Sequence, residues 1–448
     1  RILRSSTAGG PFAPVGESTV TARRDSGLNN GTTYFYVVIA LDALGNASSY
    51  SNEASGTPLD QVAPAATLFY PTLPGKLYVT GEPFATVVGT TEAGATVSLS
   101  ANGSRVRNAQ ALAANQVVER PLSTWDSSVS LSPDGRYAVY VSDERALTWY
   151  DLTTKNSRVI AVISHYNDVN AHWSPDGREI VFTDRDPNYY EYYIRAYRLA
   201  DQTLRDLSDP ATGSLYAGRL SPDGKRLAAV GNYDGTAGLG YLELGSGIWT
   251  PLVNASNWMF DGRSLRWSPD GGRIAYLRTY PAPSIEVVNV GSGAVQVLEA
   301  QAGYGAPSWS PDGTALLYTS RRNGSEQVWR YTYTDGTARA VTTDINYSYL
   351  NPIWSADGDA ILYVFDYGRV DRLDLATGSV TTLTTATNYV ESQTLHVVDA
   401  GYVAVLIDDK LQRIAPAGRF EIQGVTLAPG DNVLSATATD LSGNTGAP

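Results

Sequence analysis

At 448 residues the chain is long enough for about three domains, and its formal net charge of −12 leaves no basic footprint for a nucleic-acid partner. It contains no cysteine, which removes thiolate nucleophiles, disulfides and cysteine-ligated metals, and no apolar run approaches the roughly 18 residues of a membrane span. Aromatic residues (29 Tyr, 9 Trp) and 42 Gly give the composition of an all-β chain rich in turns.

Residues 1–60 open with a short strand pattern at 2–4. Leu28-Asn29-Asn30-Gly31-Thr32-Thr33-Tyr34 then leads into an apolar strand over 34–40, a turn at Asp42-Ala43-Leu44-Gly45-Asn46 and the start of a last strand at 51–54. This resembles the later half of a fibronectin type III domain, in which a corner tyrosine bonds back to the backbone. The resemblance makes Tyr34 that residue. The first two strands of the family are missing, so the reading is of a piece of a longer protein. A Pro-containing linker over 56–64 follows.

A second sandwich pattern occupies 63–108, with Gly89-Thr90-Thr91-Glu92-Ala93-Gly94-Ala95 between strands and Asn102-Gly103 at the next turn. Its complement lies far away, at 416–448: Gly418-Arg419-Phe420, Gly430-Asp431-Asn432 and Asp440-Leu441-Ser442-Gly443-Asn444. Together they resemble a bacterial immunoglobulin-like domain. That implies that residues 109–415 replace one of its hairpin loops, an insertion tolerated when the guest's termini lie close together.

The inserted segment is a repeat. Ser-Pro-Asp-Gly begins at Ser132, Ser174, Ser221, Ser268 and Ser310, with Ser-Ala-Asp-Gly at Ser355; the steps between first residues are 42, 47, 47, 42 and 45. Periods in this range mark repeat architectures. An apolar residue, often Trp, precedes each Ser, and three short β-branched or aromatic runs follow, so each repeat supplies one four-stranded blade. The turn has a mechanical reading: Pro presets φ, Asp bonds nearby backbone and Gly supplies positive φ. Six repeats give six blades. A seventh takes three strands from 397–414 and its outermost strand from 117–122, so that ring closure removes two exposed edges. Over 115–415 the repeats resemble TolB-type propellers, which implies a habit of binding proteins and no particular reaction. The expected fold is therefore all-β: a seven-bladed propeller inserted in an immunoglobulin-like sandwich, after a partial fibronectin type III domain.

That topology places both links to the sandwich on the side of the Ser-Pro-Asp-Gly corners and leaves the opposite face free. Its loops carry Trp125, the run 165–168 with Tyr166, Trp258, Phe260, Tyr304, Tyr347, Tyr349, Tyr389 and a ten-residue insertion over 184–193 with Tyr189, Tyr190 and Tyr192. Aromatics on loops held by a rigid scaffold suit a protein or glycan contact surface; the bland alternative is packing between blades.

Catalytic signals are sparse. There is no Gly-x-Ser-x-Gly elbow and no zinc spacing among His165, His172 and His396. The turn also departs from a sialidase Asp box, since Gly follows Asp directly and no Thr-Trp follows. The Asp42 and Asp440 turns read as strand connections rather than calcium loops. The expectation is thus no catalytic residue, cofactor or metal, in a non-enzymatic extracellular segment of a bacterial surface or secreted protein. On this reading the propeller is the recognition head on a sandwich stalk. The alternative is a fibre or shell subunit in which a neighbouring copy supplies missing strands. A glycoside hydrolase is a distant third.

Overall fold

The computed structural model describes the chain apart from residues 21, 24, 30–31, 43, 59–62, 71–83, 122–123, 143–144, 164–168, 190, 304, 399–400, 409 and 448. Of 70, 84, 120–121, 124–128, 257 and 391–394 it describes the backbone alone. Strands dominate throughout, and the helical element among the described residues is a single 3-10 turn, Asn257–Met259.

Seven four-stranded antiparallel sheets follow one another around a ring. Blades 1 to 6 are continuous in sequence, spanning 124–162, 172–206, 213–254, 260–299, 308–340 and 349–385. Blade 7 takes Val390–Val397, Val403–Ile407 and Lys410–Ala415, and its outermost strand is Gln116–Pro121, with Ile414 opposite Val117. An apolar cluster fills every junction. Between blades 1 and 2, Val139 and Leu147 meet Ile180 and Phe182; between 7 and 1, Leu406 and Leu411 meet Val129 and Leu131. Each such large side chain contributes about 1.5–3 kcal/mol when fully buried.

The corners are built alike. In blade 3, Ser221 Oγ donates to Asp223 Oδ1 at 2.5 Å and accepts Arg226 N at 2.9 Å, while Asp223 Oδ1 also accepts Lys225 N at 3.1 Å. Gly224 sits at φ +68°, where a side chain would be strained. The serine hydroxyl is thus the keystone of a strand-to-strand corner.

The preceding Trp has a role that composition alone does not reveal. Trp173, Trp267, Trp309 and Trp354 each donate Nε1–H to a carbonyl on the inner strand of the blade before, at Ser130, Arg219, Arg266 and Ser308, over 2.9–3.2 Å. In blade 3 the position holds Leu220. There the junction is tied by Ala217 N to Thr183 Oγ1 (3.1 Å) and Arg219 Nη2 to Asn170 Oδ1 (2.8 Å).

Strands from either side of the ring pair with each other. Arg419–Thr426 lies beside Phe84–Thr90, and Leu434–Thr439 beside Thr96–Ala101, so two three-stranded sheets enclose Val87, Val97, Leu99, Phe420, Ile422 and Ala438. This small sandwich rests on the corner side of blades 6 and 7. Thr90 Oγ1 donates to Asp357 Oδ2 at 2.9 Å, Tyr402 Oη donates to Glu421 Oε2 at 3.0 Å, and the Arg419 guanidinium lies 3.9 Å from the Tyr402 ring centre. Phe69 reaches the blade 7 corner because Gly401 has no Cβ; one placed there would stand 2.6 Å from the ring.

The N-terminal segment forms one sheet ordered Ala13–Gly16, Ile2–Ser5, Tyr34–Val38, Ala54–Gly56. Leu3, Val37 and Ile39 make its core, and Asn29 N donates to Tyr34 Oη at 3.0 Å. The Asp42 and Asp440 turns share one pattern. Each carboxylate accepts the backbone N–H and the Nδ2–H of the Asn four residues on, all at 2.8 Å.

Candidate functional site

Up-and-down connectivity puts the links between blades, and the loops between second and third strands, on the side opposite the corners. On that side the inner strands do not run straight. Their pairing shifts between Thr124 and Val129, Tyr216 and Arg219, Asp261 and Arg266, Leu350 and Ile353, and Glu391 and His396. Asn170, Ala217 and Asn351 take φ of +45°, +56° and +44° in the corresponding stretches. Such bulges turn side chains away from the ladder and are common beside binding sites.

The positive-φ turn at Asn170 in blade 2 and the bulges of blades 3 and 4 open a cavity of about 380 Å³ lined by Asn170, Tyr192, Tyr216, Ala217, Trp258, Phe260, Asp261, Gly262 and Arg263. Gly262 is required by close packing, because a Cβ there would lie 2.4 Å from that of Ala217. Trp258 is 59% exposed and stands at a tilt to Tyr280 with ring centres 4.9 Å apart; Tyr192 and Tyr216 meet edge-on at 6.3 Å. Asp261 Oδ1 accepts Arg263 N at 3.0 Å, which fixes the carboxylate at the rim.

Behind this cavity lies a set of charges that reading the loops does not find. Arg219 and Arg266 are half-buried, and Arg266 lowers the readiness of Arg219 to stay charged. Burial first, then Arg266 and Arg263, bring Arg219 down to about 9, with Asp261 acting in the opposite direction. Burial likewise lowers Arg266, again opposed by Asp261. His172, 9% exposed, is held well below 6.5 by burial and by the two arginines, so its ring is neutral at neutral pH. Its Nδ1 faces the Asn170 carbonyl at 3.1 Å. His172 Nε2, Asn170 Nδ2 and Arg219 Nε are buried and have no hydrogen-bond partner among the described residues. The overlooked signal is positional. His172, Arg219 and Arg266 each stand two residues before the corner Ser in three successive repeats.

The other expected contact residues fall differently. Tyr189 is 56% exposed, on a loop shaped by Asp186, whose Oδ1 accepts Asn188 N and Tyr189 N at 2.7 and 2.9 Å. That loop is shorter than the sequence implies. Asp184 and Arg185 continue a strand paired with Tyr193 and Tyr192, leaving 186–191 as the connection. Tyr192 is therefore a half-buried strand residue rather than a loop tip. Phe260 is a correction: it is 5% exposed, its ring edge-on to Tyr276 at 5.7 Å, because it begins the inner strand of blade 4. Tyr347 is exposed, with its ring against Phe365; Tyr349 is half-buried between Tyr363 and Phe365. Tyr389 is exposed at the start of blade 7, its N–H on Asp408. Tyr192, Trp258 and Phe260 meet at the cavity, whereas Tyr347, Tyr349 and Tyr389 belong to blades 6 and 7. Tyr166, Tyr190 and Tyr304 lie outside the described residues, as does His165, and the Trp125 side chain is likewise not described. His396 is structural, its Nε2 accepting Leu131 N at 3.1 Å across the closing junction.

The fold thus defines an all-β protein built around a propeller, and part of that propeller is similar to the TolB type. The family model for the TolB beta propeller domain (PD40) matches residues 218–396. A protein TolB homolog of Protochlamydia amoebophila (strain UWE25) is 33% identical over 67 residues, which is 15% of this chain and 14% of that relative's length. Among solved structures, a putative TolB from Agrobacterium tumefaciens is similar at 20% identity and TM-score 0.42, covering 60% of this chain and 97% of that one. TolB from Acinetobacter baumannii gives 16%, 0.39, 66% and 81%, and Kuenenia stuttgartiensis hydrazine synthase 14%, 0.48, 64% and 94%.

Proposed function

We propose that the chain is a non-enzymatic binding segment of a bacterial cell-surface or secreted protein, whose propeller presents its free face to a protein or glycan partner. One observation carries this reading. The small sandwich occupies the corner side at blades 6 and 7 through Thr90, Phe69 and Glu421, while the aromatic rim of Tyr189, Tyr192, Tyr216 and Trp258 stands on the other side of the ring. Tyrosine and tryptophan supply contact area at low entropic cost, and exposed aromatics on a rigid frame are the usual anchors of recognition. The same arrangement speaks against chemistry at this site, since its one imidazole among the described residues is neutral, buried and engaged through Nδ1 with a backbone carbonyl.

The test is a screen of the whole chain against arrayed bacterial and host glycans and surface proteins. It is repeated with Trp258→Ala combined with Tyr189→Ala, and with Arg178→Ala combined with Lys225→Ala on the corner side. Binding lost only in the first variant supports the proposal. Binding lost only in the second, or turnover of an arrayed glycan, refutes it.

A further inference from the structure

Exposed apolar side chains gather at a second place on the free face, at blade 6. Ile345 and Tyr347 stand on the link into that blade, Tyr367 on the turn between its second and third strands, and Tyr389 on the link out of it; all four are exposed. The backbone ties these loops into one surface. Asp366 N donates to the Ser348 carbonyl at 2.8 Å and Val390 N to the Tyr367 carbonyl at 2.7 Å, while the Tyr347 ring leans on Phe365 with centres 4.9 Å apart. Exposed apolar surface gathered on loops of a rigid frame marks an interaction site.

Tyr367 is placed there against the preference of its backbone. It takes φ +57° after Asp366 at +46°, in a turn closed by Gly368 N on the Phe365 carbonyl at 3.0 Å. Two successive positive φ angles favour Asn or Asp followed by Gly, and a bulky residue there is an outlier. The matching turn of blade 3 follows that preference, with Asp234 at +50° and Gly235 at +74°. Blade 6 holds a phenol where blade 3 has no side chain. That phenol is 52% exposed, so burial offsets little of the strain.

Charge decides the partner. The links and turns at 343–348, 366–368, 386–389 and 408–409 carry aspartates, among them Asp344, Asp366 and Asp408, and no lysine or arginine. The bordering arginines have carboxylate partners of their own. Arg369 Nε donates to both Asp371 oxygens at 2.9 Å and its guanidinium lies 4.0 Å from the Phe365 ring centre; Arg321 pairs with Glu326 at 2.7 Å, and Arg322 with Glu299. Phenol faces beside carboxylates attract cationic side chains, guanidinium above all, and repel acidic ligands. We propose that this surface binds a basic polypeptide segment, its Arg or Lys side chains lying over Tyr347 and Tyr367 and beside Asp344 and Asp366. This rests on the free-face reading and deepens it by naming a class of partner and the blade that meets it.

The experiment is a fluorescence-anisotropy titration of the whole chain with a labelled peptide of alternating Arg and Ser. The Gln-Ser and Glu-Ser peptides and maltohexaose serve as comparison probes. The Arg-Ser peptide is expected to bind about tenfold or more tightly than the Gln-Ser peptide, and to weaken as salt is raised. Tyr367→Gly keeps every charge and suits the turn; it is expected to weaken the peptide about tenfold, with the urea midpoint unchanged or higher. Asp366→Asn is expected to weaken it as well, whereas Asp335→Asn, the same loss of charge at an exposed turn on the corner side, leaves it unchanged. Equal weakening by the two Asp variants, or none by Tyr367→Gly, reduces the binding to diffuse attraction and overturns the proposal. A lower midpoint for Tyr367→Gly makes the ring a packing group and overturns it too, and tighter binding of maltohexaose overturns it in favour of a glycan. No binding of the basic peptide, alongside an array partner lost with the Trp258 and Tyr189 variant, overturns it while leaving the free-face reading standing.

Discussion

The indole of Trp309 donates to the backbone carbonyl of Arg266, 3.1 Å away on the preceding blade, so one side chain joins two repeats at a half-buried arginine of the charge cluster that includes Arg219. The stitch and the cluster share a strand. Stability of the ring and geometry of the cavity are therefore linked through the inner strand of blade 4.

Trp309→Phe keeps an aromatic ring but removes the donor, leaving a buried carbonyl without that partner. A loss of about 1–3 kcal/mol is expected, read as a lower urea midpoint at unchanged slope. No change in midpoint would show that the indole N–H contributes nothing to the junction.

Ser221 is fully buried at its corner, and its hydroxyl makes bonds to Asp223 and Arg226. Ser221→Ala removes both and is expected to cost about 1–3 kcal/mol. Replacement of the exposed Lys225 by alanine, four residues on, is expected to change stability by no more than about 0.5 kcal/mol. Equal effects at the two positions would contradict the keystone role.

The corner carboxylates also set an acid limit. The Ser268 hydroxyl and the Gly272 N–H hold Asp270 below its ordinary 3.8. A carboxylate with a lowered folded-state pKa contributes stability that is present above 3.8 and is lost as pH falls through the folded value. Asp270→Asn should therefore be less stable than the parent at pH 6, with the difference shrinking below about pH 3.8. A difference that stayed constant across that window would rule out the linkage.

Phe69 is almost fully buried at the seam between sandwich and propeller, against Val88, Ala356 and Tyr402. Phe69→Ala is expected to cost about 3–5 kcal/mol. It should also split the calorimetric unfolding transition, with the sandwich melting first. A single transition at the parental temperature would show that the seam adds nothing to the mount.

The repeat was legible because its corner is dictated by local chemistry. Ser, Pro, Asp and Gly each meet a backbone demand within one turn, so spacing exposes the blades, and the repeated turn carries the resemblance to TolB-type propellers. Tyr34 was legible through the resemblance of its turn to a fibronectin type III corner. The cavity was not, because Asn170, Tyr216 and Arg263 reach it through bulges and positive φ that no period records. Phe260 was misplaced as an exposed residue and Tyr192 as a loop tip, since an aromatic at a strand start looks the same in sequence as one on the loop beside it. Arg219 and Arg266 were visible only by stacking the repeats on their serines, where charge recurs at a position that blades 1, 5 and 6 fill with Ser130, Ser308 and Ile353.

The most direct test of the account maps a bound partner on the ring by hydrogen exchange, with the whole chain free and in complex with an array-selected ligand. Protection should gather at 186–192, 214–217 and 257–263 and leave the corners at 132–135, 174–177 and 221–224 unchanged. Protection confined to those corners, with the cavity residues exchanging as before, would contradict it.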